Sequence, residues 1–273
     1  MYLAIDIGGT KTALAVLNNE GVISEKLRFP TDHNYAVWHK DLANNVAKLS
    51  TKEFKACGVG VPGRIDRDKG IGVAMGNLPW RNVPIQADVK RITHCPTVID
   101  NDANLAGLSE AMLLKHKYSR VLYVTISTGI GTGFIVDQEI EPSFADSEGG
   151  QVLVEHQGKS QYWEEVASGE AVVRRYGRRA VDITDKTTWR HIAHDISLGL
   201  TDLITVVQPE VIVLGGSVGI YFDRYKEPLV EALKKYELPI SPVPPVISAA
   251  RPDDAVLYGC YDLAKSVYGK ARS

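Results

Sequence analysis

Apolar residues run or alternate through residues 2–7, 12–17 and 22–29, with glycine or asparagine turns between them, which predicts three consecutive antiparallel strands. A helix follows, because Trp38, Leu42, Val46 and Leu49 recur at spacings of 4, 4 and 3, the stripe of an amphipathic helix. CGVGVPG at 57–63 returns to a short buried strand ended by proline, residues 97–99 form another short strand, and DANLAGLSEAMLLKH at 102–116 reads as helix.

The second half restarts the pattern. RVLYVTI, GTGFIVD and a short segment near 138–141 predict a new three-stranded start. Helices are expected at about 162–176 and 187–206, a strand at 210–214, a helix across 220–236 and a last helix over about 255–269. Repetition of β-β-β-α-β-α units implies two homologous lobes, each a mixed sheet flanked by helices, with ligands at the carboxyl ends of the strands. The expected division gives residues 1–110 plus a C-terminal helix at 258–273 to one lobe and 111–257 to the other. Short hinges would join them, and closure around ligands is the expected motion.

Composition narrows the classes. At 273 residues and 44% hydrophobic the chain can fill one large core or two ordinary ones. Its 31 basic and 33 acidic residues leave a formal charge of −2, so no global field draws it to nucleic acid or to an anionic membrane. Cys57, Cys95 and Cys260 are far apart and form no CxxC pair, which reads as a reduced, cytoplasmic protein. The chain enters a strand at Tyr2 and contains no apolar run of bilayer length, so neither a leader nor a membrane span is expected.

Two segments carry the strongest chemical signal. IDIGGTKTALAV at 5–16 and TISTGIGTGFIV at 125–136 each bring an apolar strand to its end and follow it with small residues, whose backbone N–H groups can approach an anion closely. Two phosphate-sized cradles in one chain suggest a nucleotide held between two halves. Asp6 adds a carboxylate at a strand's polar end, where it could hold a magnesium ion bridging phosphates, directly or through water; capping the turn is the other use of an aspartate there.

DNDAN at 100–104 places Asn101 and Asp102 at a helix N-terminus. A carboxylate there can take a hydroxyl proton while the neighbouring amide orients the substrate, and the same residue types are also favoured helix caps. Glu148 in DSEGGQ and Glu164 at the start of WEEVASGEAV could bond sugar hydroxyls; from the local sequence alone, loop solvation for Glu148 and complementing the helix dipole for Glu164 are the favoured readings. VIVLGGSVG at 211–219 is a strand, two glycines and a helix, a surface on which an adenine or ribose could lie or an ordinary turn.

Taken in order, DIGGTKT, GVGVPGRID, GNLPWRNVPI, DNDANLAGLSE, TISTGIGTGFIV, SEGGQ, EEVASG, PEVIVLGGSVG and AVLYGCYDLA resemble the ROK family of bacterial sugar kinases and sugar-responsive repressors across essentially the whole chain. The resemblance implies an α/β, two-lobed actin-like ATPase or hexokinase fold of the ribonuclease H-like kind, with duplicated mixed sheets and a central cleft. It implies that Asp6 positions magnesium, that Gly8, Gly9, Thr10 and Lys11 form the first phosphate loop, and that Thr128, Gly129 and Gly131 form the second. Asp102 would be the general base, Asn101, Asn77, Glu148 and Glu164 would hold the other sugar hydroxyls, the backbone around Gly63 would line that pocket, and Gly215 and Gly216 would contact the adenosine portion.

Two departures stand out. Gln151 occupies the place where many members have histidine, and HQGKSQYW at 156–163 replaces the usual cysteine-rich zinc motif. Structural zinc needs about four N or S ligands, and this region offers only His156, so no zinc is expected. Gln151 still has a donor and an acceptor for a sugar hydroxyl.

The resulting expectation is a cytoplasmic, magnesium- and ATP-dependent kinase acting on the 6-hydroxyl of a hexose, glucose first, and forming a homodimer. Inorganic polyphosphate is an alternative donor, and N-acetylmannosamine, N-acetylglucosamine and fructose are alternative acceptors. Basic residues near the phosphates would favour polyphosphate, and sequence alone does not place Lys115, Lys117 or Arg174 there. A sugar-sensing repressor is disfavoured because only five residues precede Asp6, too few for a helix-turn-helix. An actin-like ATPase switch is disfavoured because it has no use for the carboxylate and amide set of a polyol pocket.

Overall fold

The computed structural model describes residues 1–269; the last four residues of the helix expected over 258–273 lie outside them. The chain divides into two units, one formed by Met1–Ser109 together with the chain from Asp254 onward, the other by Glu110–Asp253.

The first unit opens with β1 (Tyr2–Ile7), β2 (Lys11–Leu17) and β3 (Ile23–Pro30), then α1 (Tyr35–Val46) and β4 (Cys57–Val61). Three short strands, β5 (Arg64–Asp66), β6 (Ile71–Ala74) and β7 (Arg81–Val83), form a small separate sheet, and α2 (Ile85–Thr93), β8 (Thr97–Asn101) and α3 (Asp102–Leu113) follow. The main sheet has the order β3-β2-β1-β4-β8. Its first three strands are antiparallel, while β4 joins β1 and β8 joins β4 in parallel. Trp38 and Leu42 of α1 are buried in a core with Leu3, Ile5, Leu14 and Val59.

The second unit repeats this plan. It contains β9 (Arg120–Ile126), β10 (Ile130–Val136), β11 (Glu139–Ile140), β12 (Leu153–His156), β13 (Lys159–Tyr162), α4 (Trp163–Ala167), α5 (Gly169–Tyr176), α6 (Lys186–Val207), β14 (Val211–Gly215), α7 (Gly216–Gly219), α8 (Lys226–Lys234) and β15 (Val246–Ser248). The sheet order β11-β10-β9-β14-β15 matches that of the first unit strand for strand, with the same change from antiparallel to parallel pairing. The hairpin β12-β13 stands apart as a two-stranded sheet.

The last helix, α9 (Ala255–Tyr268), packs on β1 and β4 of the first unit. Glycines permit its close approach: a Cβ at Gly58 would stand 2.0 Å from the Cys260 carbonyl oxygen, and one at Gly259 would stand 1.9 Å from that of Leu105 in α3. No helix among the described residues is long and apolar enough to cross a membrane.

Several elements differ from the sequence expectation. The helix expected over 162–176 is two helices, because Ser168 is extended and caps α5, its hydroxyl accepting from the Ala171 N–H at 3.2 Å. The helix expected across 220–236 is a 3-10 turn at Phe222–Arg224 followed by α8, with Tyr225 out of helical conformation between them. Strand β8 runs on to Asn101, two residues past the expected end, while α3 stops at Leu113 because Lys115 and His116 have positive φ.

Candidate active site

Asp6 lies one residue from the end of β1, where its strand neighbours are Ala13 and Gly60. The turn after it is tight: Gly8 N–H donates to the Lys11 carbonyl at 3.0 Å, leaving Thr10 and Lys11 exposed. A Cβ on Gly9 would fall 2.8 Å from Cβ of Asn77, so Asn77, in the loop between β6 and β7, rests directly against this turn. Burial, then the negative charge of Asp102, pushes the Asp6 carboxyl up to about 7; Arg28 and Lys26 pull the other way, and Asp254 adds to the rise. Each of the two carboxylates therefore raises the cost of ionising the other, a tension that a cation would relieve.

Asp100, Asn101 and Asp102 lie where β8 ends and α3 begins. Asn101 caps the helix, its Oδ1 accepting from the N–H groups of Ala103 at 2.8 Å and Asn104 at 3.3 Å, while its Nδ2 donates to the Gly63 carbonyl at 3.2 Å. Gly63 has φ +106, and a Cβ there would stand 2.4 Å from the Ala74 carbonyl oxygen, so this backbone position depends on glycine. Asn101 is therefore a helix cap, and its amide also fixes the Gly63 loop beside Asp102. Asp102 accepts from the Ala103 N–H at 2.8 Å.

Behind these residues Asp100, 6% exposed, is clamped by Arg67, whose Nε and Nη2 each reach one carboxylate oxygen at 2.9 Å. Asp100 Oδ1 also accepts from the Asn101 N–H at 2.7 Å and from Asn104 Nδ2 at 3.0 Å. Sequence reasoning missed Arg67 and Asp100. They are 33 positions apart, and only the fold pairs them.

The second unit assembles a matching set. Ser127, Thr128 and Gly129 form the turn between β9 and β10, closed by a 2.9 Å bond from Ser127 N–H to the Gly129 carbonyl; Gly131 lies within β10, paired with Thr125. Thr128 is exposed. Two helix starts converge on Ser127: Gly169 N–H donates to its carbonyl at 2.6 Å, and Ser217 N–H donates to its hydroxyl at 3.1 Å. Gly216, φ +80, sits where a Cβ would be 2.5 Å from the Ile126 carbonyl oxygen, and one on Gly215 would be 2.2 Å from the Tyr123 hydroxyl. The glycines expected to face adenosine thus join the second glycine turn in one cluster. Ser127 and Gly169 were invisible as site residues, because their partners come from distant segments.

Glu164 belongs to the same neighbourhood. One carboxylate oxygen accepts from the Ile130 N–H at 3.4 Å, and the other accepts from Gln151 Nε2. Glu148 precedes the 3-10 turn Gly149–Gln151, which is held to β10 by a 3.1 Å bond from Gly149 N–H to the Thr132 hydroxyl. Lost hydration, then the charges of Glu164 and Asp146, raises the Glu148 carboxyl above its ordinary value. Glu148, Gln151 and Glu164, scattered over 17 positions, thus gather into a polar cluster of two acids and one amide.

The first unit thus carries a glycine turn with a helix-start carboxylate and the second a glycine turn with a cluster of two acids and one amide, and the ROK family profile matches residues 2–267 of the chain. The chain belongs to the ROK family. It is a sugar kinase of that family, and its fold is the α/β fold of the actin and hexokinase group. A Bacillus subtilis (strain 168) protein provisionally named a fructokinase is 31% identical over 235 residues, 80% of this chain and 77% of that one. A glucokinase of Streptomyces coelicolor is 27% identical over 97% of this chain and 98% of its own. Among solved structures, a ROK glucokinase of Streptomyces griseus, in complex with glucose and AMPPNP, superposes with a TM-score of 0.82 at 24% identity, covering 97% of this chain and 99% of that one.

Among the described residues no group of three or more His, Cys, Asp or Glu is gathered so as to hold a metal ion. The electrostatic tension between Asp6 and Asp102 nevertheless fits a divalent cation of the magnesium type, which takes one or two carboxylates and completes its shell with water and substrate phosphates.

Proposed function

We propose that the protein transfers the γ-phosphate of ATP to the 6-hydroxyl of a hexose, with glucose the first candidate. The observation that carries this reading is the junction of β8 and α3. There Asp102 is fixed at a helix N-terminus, its neighbour Asn101 is locked to the Gly63 loop, and both stand on the Arg67–Asp100 clamp. Asp102 takes the proton of the attacking hydroxyl, a role worth about 10²–10⁴ in rate. Asn77 and Asn101 are the residues assigned to the remaining hydroxyls, as are Glu148, Gln151 and Glu164.

Phosphoryl transfer asks the protein chiefly for positioning and charge neutralisation. The turn Gly8–Lys11 offers backbone N–H groups and the Lys11 ammonium to the phosphates. The turn Ser127–Gly129 is the second phosphate turn in this reading, and Gly215 and Gly216 leave a surface free of side chains for adenosine. Asp6 would hold the magnesium that accompanies ATP, which would supply charge neutralisation at the phosphates. Glucose is supported by the full-length similarity to a glucokinase; the similarity to a fructokinase makes fructose the first competitor. Product analysis with purified protein, magnesium, ATP and single sugars tests the reading. Glucose 6-phosphate should form fastest, and a different phosphorylated sugar would reassign the acceptor.

A further inference from the structure

Asp195, in the middle of α6, is 4% exposed and lies outside both glycine turns and the hydroxyl-binding cluster. Three separate segments converge on it. One carboxylate oxygen is 3.4 Å from Nε2 of His156 at the end of β12, the other bonds Arg175 in the last turn of α5, and the Asp195 backbone carbonyl accepts the Trp163 indole N–H at 3.1 Å. Arg175 also donates to the Val166 carbonyl in α4 at 3.1 Å. One turn along α6 from Asp195, a Cβ on Gly199 would sit 2.1 Å from the Trp163 ring, so the indole lies flat on a gap that only glycine leaves.

The placement of these ties matters because of what they bracket. Gln151 is two residues before β12 begins, and Glu164 is two residues after β13 ends and next to Trp163. The ten residues between Val152 and Trp163 are an exposed hairpin, Leu153 and Tyr162 being 62% and 46% exposed. A two-stranded hairpin is marginal by itself. Among its residues Val154 is buried, and His156 reaches the Asp195 carboxylate. The contact between Gln151 and Glu164 thus closes a loop whose far side is fastened to α6.

We propose that Asp195, through His156, Arg175 and Trp163, is the positioning residue of the sugar-binding segment: it holds the hairpin and α4 in register, keeps Gln151 against Glu164, and so sets sugar affinity without touching sugar. This inference rests on the reading that Gln151 and Glu164 hold sugar hydroxyls. Burying a carboxylate is costly unless it is paired, and Asp195 gains two cationic or protonatable partners and orders three segments in return. The His156 arm directs its effect to the sugar side, since His156 lies on the hairpin; Arg175 shares α5 with Gly169, whose N–H bonds the Ser127 carbonyl at 2.6 Å, so the His156 variants isolate the sugar-side effect.

The experiment compares wild type, Asp195→Asn, His156→Ala, His156→Gln and the reference variant Glu164→Gln, measuring sugar KM, nucleotide KM and hydrogen–deuterium exchange over residues 151–164. Asp195→Asn and His156→Ala should raise exchange across the hairpin and raise sugar KM about tenfold or more, and in His156→Ala nucleotide KM should stay within about twofold. His156→Gln, which keeps a donor, should recover most of the loss. His156 is partly exposed, so its variants test the idea even if Asp195→Asn does not fold. Unchanged exchange over 151–164 in the His156→Ala protein overturns the proposal. So does an unmoved sugar KM in that protein where Glu164→Gln raises it. If Glu164→Gln also leaves sugar KM unmoved, the sugar assignment of the segment is at fault and the proposal falls with it.

Discussion

Arg67 holds Asp100 in a two-pronged grip, Nε on one oxygen and Nη2 on the other at 2.9 Å, immediately before the residues that begin α3. The pair connects the small sheet of the first unit to the β8–α3 junction, since Arg67 follows β5 directly. Its consequence is that Asp102 is aimed by a clamp two residues behind it. Removing one partner of a buried pair costs about 3–5 kcal/mol, toward the lower end where a partner retains some water contact, as Arg67 does. Arg67→Met should therefore lower thermal stability and reduce kcat about tenfold or more while nucleotide affinity stays within about twofold. Arg67→Lys should recover only part of the loss, because an ammonium cannot span both oxygens. Calorimetry and steady-state kinetics check this, and wild-type kcat in Arg67→Met would contradict it.

Asp6 makes stability pH-dependent in a defined direction. Its carboxyl is raised from 3.8 to about 7 by burial and by Asp102, so the folded protein holds that proton more tightly than the unfolded chain. The stabilisation this gives is complete below pH 3.8 and is lost as pH rises through about 7. Without nucleotide, the melting temperature contribution from Asp6 should thus fall between those limits, and Asp6→Asn should flatten that part of the profile. Thermal melts of both proteins from about pH 5 to about pH 8 decide it; parallel profiles would remove Asp6 as the cause.

Gly216 adopts φ +80 with no room for a Cβ beside the Ile126 carbonyl. Forcing a side chain into such a position costs about 1–3 kcal/mol. Gly216→Ala should weaken nucleotide binding about tenfold, because the turn must shift where adenosine is expected to lie, with little effect on sugar KM. Nucleotide titration by calorimetry measures it, and unchanged affinity would place the adenosine elsewhere.

Gly259 carries the packing of α9 on α3. A Cβ there would overlap the Leu105 carbonyl at 1.9 Å, and Leu105 is three residues after Asp102. Gly259→Ala should lower stability by about 1–3 kcal/mol, read by urea unfolding, and lower kcat through the displaced start of α3. A protein as stable as wild type would contradict the packing argument.

The two main sheets were legible because β1, β2, β9 and β10 are apolar strands that meet at glycine turns, whereas β3 is only partly buried and β11 is two residues long. The small sheet was not, since strands such as Arg64–Asp66 and Arg81–Val83 are three residues long and mostly polar. The hairpin β12-β13 escaped for the same reason: LVEH and KSQY contain little apolar periodicity, and their ties to the rest of the unit are the buried Val154 and the contact of His156 with Asp195. Ser168 broke an expected helix because its hydroxyl caps the next one, a tertiary choice reinforced by the bond from Gly169 to Ser127. At the candidate site, Asp6, Asp102 and Glu164 stand in motifs that the sequence displays, whereas Arg67, Asp100 and Ser127 meet partners that only the fold supplies.

The most direct test of the central claim is product formation by wild type and Asp102→Asn, with magnesium, ATP or polyphosphate as donor, and glucose, fructose, N-acetylglucosamine or N-acetylmannosamine as acceptor. Wild type should make a sugar 6-phosphate from ATP, glucose giving the highest kcat/KM, and Asp102→Asn should bind nucleotide normally while its rate falls by about 10²–10⁴. Equal rates from the two proteins would contradict the assignment of Asp102 as the base, and no sugar phosphate from any pair would contradict the account as a whole.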